Sequence, residues 1–100
     1  MKEPLMDTFL DLYHCKKIPD KRGGSALSWE KKMTVFADVR LCRDGYRAFV
    51  LNDADVIFCQ KALWKVQGQE ISLYIHSAEV CADHRYMKIS LRKEMPRRIV

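Results

Sequence analysis

From Met33 to Cys42 the chain repeats with a period of two. Met33, Val35, Ala37, Val39 and Leu41 fall on one side of an extended backbone, and Thr34, Phe36, Asp38, Arg40 and Cys42 fall on the other. That period marks a strand with one buried face. Arg43-Asp44-Gly45 follows, and Asp-Gly is a turn pair because glycine takes positive φ without steric cost. Tyr46–Leu51 then reads as the return strand of a β-hairpin.

The same pattern recurs downstream. Asn52-Asp53-Ala54-Asp55 supplies a turn, and Val56–Cys59 is a short apolar run continuing through QKALWKV at 60–66. A strand is preferred there because Val56 and Ile57 are β-branched and Phe58 is aromatic. A helix capped by Asp53 or Asp55 is the competing reading. Gly68 makes the next turn. In Glu70–Val80, Ile71, Leu73 and Ile75 alternate with Ser72, Tyr74 and His76. After a turn at Ala82–Arg85, Met87, Ile89 and Leu91 alternate with Tyr86, Lys88, Ser90 and Arg92.

The N-terminal part reads differently. Residues 4–14 place Leu5, Phe9 and Leu12 or Tyr13 at helical spacing, with Pro4 in the first turn and Asp7 near the positive end of the dipole. A helix so short must dock on something, either an open end of the β structure or another subunit. Residues 15–31 contain Pro19, Gly23 and Gly24 and read as a loop, with Trp29 capping the core just ahead of the strand.

These elements predict one domain over 1–100: a helical segment at 1–16, a basic loop at 17–31, a β core at 32–93 and a basic tail at 94–100. Without crossover helices the sheet must be antiparallel. Closing it removes exposed edges. The expected fold is therefore all-β, a small five-stranded antiparallel barrel with a short N-terminal helix. The strand order over roughly 32–93 resembles an OB-type barrel. The short 60–69 connection leaves an SH3-like barrel open.

Composition narrows the function classes. A hydrophobic share of 48% and a charged share of 31% suit a globular chain. No apolar run approaches membrane-spanning length, and Glu3 and Asp7 do not suit a signal peptide, so the expected location is intracellular, nucleus or cytoplasm. Cys15, Cys42, Cys59 and Cys81 form no CxxC pair and read as reduced thiols. Net charge is +5, with +4 in residues 15–32 and +4 in 83–100. Basic flanks of this kind suit an anionic polymer or simply keep the chain soluble.

Candidate chemistry lies on the outward faces. Phe36, Arg40, Arg47, Phe49, Tyr74, Tyr86, Lys88 and Arg92 interleave rings with cations. Single-stranded nucleic acid uses that combination, bases stacking on rings while Lys and Arg meet phosphate. The competing reading packs these rings in the core. Leu5, Phe9, Tyr13 and Trp64 are the residues expected to meet a larger protein subunit or a homodimer partner. Cys81-x-x-His84 is half of a zinc pattern, and no metal or cofactor is expected from it. Neither GxSxG, a P-loop nor GxGxxG occurs, so neither catalysis nor a small-molecule substrate is expected.

Overall fold

A computed structural model describes residues 7–19 and 23–96. They form strands β1 (Thr8–Pro19), β2 (Ser25–Cys42), β3 (Gly45–Leu51), β4 (Lys61–Val66), β5 (Gln69–Val80) and β6 (Tyr86–Arg92), with a 3-10 turn at Ala54–Phe58 between β3 and β4. Every pairing is antiparallel. The order is β1-β2-β3-β6-β5-β4, and β4 pairs back onto β1, so one sheet closes in a ring. Two three-stranded meanders are thus joined along two seams, β3–β6 and β1–β4.

The ring encloses the alternating apolar sets. Leu10 and Leu12 of β1, Ala37 of β2, Ala48 and Val50 of β3, Ala62 of β4, Leu73 of β5, and Met87, Ile89 and Leu91 of β6 are all buried. Met33, Val35, Val39, Ile71 and Ile75 pack against them. The predicted inward sets of the Met33–Cys42, Glu70–Val80 and Tyr86–Arg92 segments therefore point as their patterns require. Leu41 is the exception, 79% exposed, because it lies at the hairpin end of β2 where the ring no longer covers it.

Three expectations are corrected. The helix at 4–14 is not seen: from Thr8 onward the backbone is strand, and Met1–Met6 lie outside the described residues. Leu10 and Leu12 also satisfy period two, and an extended β1 satisfies both neighbours at once, pairing β2 on one side and β4 on the other. A short isolated helix has no such compensation. This raises the strand count from five to six.

Second, most of the 15–31 loop is strand. Lys16 pairs with Ser28, Lys17 with Leu27 and Ile18 with Ala26. Because β4 pairs β1 only at Leu10–Tyr13 and β3 pairs β2 only from Ala37, this part of the hairpin projects as a two-stranded arm. It helps give the molecule extents of 52 × 31 × 24 Å. Third, Val56–Phe58 is not a strand. The Asp53 carboxylate accepts the Asp55 N–H at 2.9 Å and caps a 3-10 turn that buries Val56 and leaves Ile57 and Phe58 exposed. Strand begins at Lys61.

Gln60 joins the pieces. Its N–H donates to the Tyr13 carbonyl (2.9 Å), its carbonyl accepts from Ile75 N–H (2.8 Å), and its side-chain oxygen accepts from Cys15 N–H (2.9 Å).

Candidate nucleic-acid interface

Opposed residues of an antiparallel pair share a face. Across β2, β3, β6 and β5, register therefore places Asp38, Phe49, Lys88 and Glu79 in one outward row. Arg40, Arg47, Ser90 and Ser77 form the next row. Arg92, opposite Tyr74, begins a third. Six of the eight residues predicted to meet nucleic acid belong to this grid: Arg40, Arg47, Phe49, Lys88, Arg92 and Tyr74. Tyr86, opposite Leu51, lies at its far end.

The electrostatics are uneven. Arg40 donates to the Asp38 carboxylate at 2.8 Å and stacks 5.1 Å from the Phe49 ring centre. That hydrogen bond raises the Arg40 pKa and keeps the guanidinium charged. Lys88 lies 3.6 Å from Glu79. Arg47 sits directly opposite Arg40 and makes no ion pair among the described residues. The Asp38 carboxylate offsets the Arg40 charge and so relieves the like-charge opposition of this pair. Beside Arg47 is a shallow hollow lined by Arg43, Asp44, Gly45, Ser90 and Arg92. Three guanidinium groups, from Arg43, Arg47 and Arg92, and the Ser90 hydroxyl thus border one concavity with a single carboxylate, that of Asp44. Arg43 and Ser90 escaped sequence reasoning because one reads as turn and the other as filler between strand residues.

Several of the predicted rings pack against neighbours. Phe36, on the same side of β2 as Asp38 and Arg40, is 53% exposed and sits with Phe9, itself 54% exposed, at 4.2 Å between ring centres. Tyr74 turns its ring toward Trp29 at 6.0 Å, with the Lys61 ammonium 5.3 Å from Trp29 and 6.0 Å from Tyr74. This cluster holds the base of the arm. Trp29 is accordingly part of β2 and clamps the arm, rather than capping the core from a loop. Tyr13 faces outward, opposite Lys31 and Lys61. Trp64 turns inward: its ring meets Tyr46 edge-on at 5.2 Å and its indole N–H donates to Thr8 Oγ1 at 3.2 Å. Leu5 lies outside the described residues.

Cys81 and His84 share a tight turn in which the His84 N–H donates to the Cys81 carbonyl at 2.9 Å. Among the described residues no group of three or more His, Cys, Asp or Glu could hold a metal ion. Burial pushes the Cys59 thiol pKa up, which suits a packed side chain rather than a nucleophile. Among the described residues no helix is long and apolar enough to cross a membrane.

Comparison with known proteins leaves this geometry to stand alone: no protein-family model, no curated protein and no solved structure matches the chain.

Proposed function

We propose that the chain is a non-enzymatic binding module, built on a small barrel of the OB-like or SH3-like kind enlarged by a sixth strand. In this reading it is a small subunit of a nucleic-acid-handling complex and contacts single-stranded DNA or RNA. The observation that carries it is the outward grid in which Arg40 and Arg47 stand opposite each other beside the hollow of Arg43, Ser90 and Arg92. A phosphate meeting Arg47 and the guanidinium groups of the hollow gains charge-assisted contacts. Phe49 and Tyr86 supply rings on the same face, and each stacked base contributes about 1–3 kcal/mol.

The test is fluorescence anisotropy with a labelled single-stranded oligonucleotide across a salt series. Affinity falls steeply with salt, with a log–log slope of about −0.7 per phosphate contact. Arg47→Ala reduces that slope by roughly one contact's worth. Absence of binding at low salt, or affinity indifferent to salt, refutes this reading.

A second reading, a protein–protein adaptor or assembly subunit without nucleic-acid contact, is supported by a separate observation. Phe9 and Phe36 form an exposed ring pair, and Leu51, Ile57 and Phe58 are also more than half exposed.

A further inference from the structure

The outer edge of β2 is an unusual feature for a closed ring. From Ser25 to Phe36, β2 pairs with β1 on one side only, because β3 joins it no earlier than Ala37. The opposite edge of the arm is guarded: β4 covers β1 to Tyr13, the Gln60 side chain takes the Cys15 N–H, and the strand ends at Pro19. Proline, bulges and covering groups are the usual protection of an exposed edge. Over Met33–Phe36, β2 has neither a proline nor a pairing strand on that side, and the bulge at Lys32 marks the lower end of the stretch.

Two hollows lie along that unguarded stretch and share Met33. One is lined by His14, Lys32, Met33, Asp55 and Phe58. The other runs along Met33–Phe36 and faces Leu51, Asn52 and Asp53. Together they make a trough between the free strand edge and the segment from Leu51 to Phe58. Its walls include the exposed Phe36, Leu51 and Phe58. Asp53 and Asp55 make no ion pair among the described residues and outnumber the single ammonium of Lys32, so the trough is locally acidic on a chain of net charge +5.

We infer that this trough takes an extended segment of another protein, which adds a strand to β2 at Met33–Phe36. The free edge supplies backbone donors and acceptors, the apolar walls take alternate side chains, and Asp53 and Asp55 select a segment carrying Lys or Arg. Main-chain pairing gives such strand addition its affinity, and pockets for alternate side chains give it specificity. The carboxylates disfavour a polyanion, so this site is separate from the arginine face. The inference deepens the adaptor reading by naming the edge and the chemistry of the partner.

The experiment titrates the full ¹⁵N-labelled chain with a capped octapeptide, Lys-Val-Thr-Val-Thr-Val-Thr-Lys, by NMR. Saturable shifts are expected at the Met33–Phe36 and Asp53–Asp55 amides. A peptide N-methylated at alternate residues binds at least about tenfold more weakly, because it lacks the donors that strand pairing needs. Asp53→Asn, which keeps a capping side chain, weakens binding several-fold. Absence of shifts at Met33–Phe36 overturns the inference. Equal binding of the N-methylated peptide, with shifts centred on Phe9 rather than on Met33–Val35, overturns strand addition while leaving the adaptor reading intact. Shifts at the same amides that grow with protein concentration alone assign the edge to a second copy of this chain and also overturn it.

Discussion

Gly45 shows how much one residue can fix. It closes the β2–β3 turn at φ +151°, and a Cβ built there would meet the Leu91 carbonyl oxygen on β6. The obstacle is backbone, which cannot swing aside like a side-chain tip. Gly45→Ala is expected to destabilise the fold by about 1–3 kcal/mol, measured by urea unfolding. Asp11 makes the opposite kind of contribution. Its carboxylate accepts from Thr34 Oγ1 at 2.7 Å and lies 3.4 Å from Lys31 Nζ. The Thr34 hydrogen bond, then Lys31, holds its pKa below the ordinary 3.8. A depressed folded-state pKa stabilises above the unfolded value and is lost as pH falls through the folded one. Asp11→Asn should therefore cost about 1 kcal/mol at neutral pH. Its stability difference from the unchanged chain should shrink below about pH 4 in an acid titration.

At the scale of an element, the arm is held at its base and free along its length. Trp29 against Tyr74, Lys61 over both rings, and Cys15 bound to Gln60 connect it to the ring. Beyond that clamp, Ile18 and Leu27 are exposed. Trp29→Ala is expected to raise amide exchange at Cys15–Ile18 and Ala26–Ser28 at least about tenfold, with little change in β3 and β6, because local opening requires only the clamp to fail. Uniformly faster exchange would place Trp29 in the global core instead. The clamp also accounts for the misread loop. Gly23 and Gly24 lie beyond the last pair, Pro19 with Ser25, and the paired residues before and after them are ordered by each other.

For the whole molecule, closure is the decisive property. β1 belongs to both the β1–β2 hairpin and the β1–β4 seam, and its Leu10 and Leu12 are fully buried. Leu12→Ala should cost about 2–5 kcal/mol, the usual range for a leucine truncated inside a packed core. Unfolding should remain a single transition by fluorescence and circular dichroism, since neither meander can keep its seams without the other. Two separate transitions would show that the meanders are independent units.

Alternation between Met33 and Arg92 was legible in the chain itself, because a half-buried strand must place its side chains in and out by turns. The hairpin at Asp44-Gly45, the turns at Gly68 and Ala82–Arg85, and the outward placement of Arg40, Arg47, Phe49 and Lys88 all follow from that period and from turn chemistry. Tertiary structure alone decided the rest. Residues 8–13 fit both a helical and an extended pattern, and only simultaneous pairing with β2 and β4 selects the strand. Trp64 reads as a candidate docking residue until ring closure turns it onto Tyr46. The partnership of Arg47 with Arg40, of Lys61 with Trp29, and the bare edge of β2 depend on which distant strands become neighbours, and local pattern carries no record of that choice.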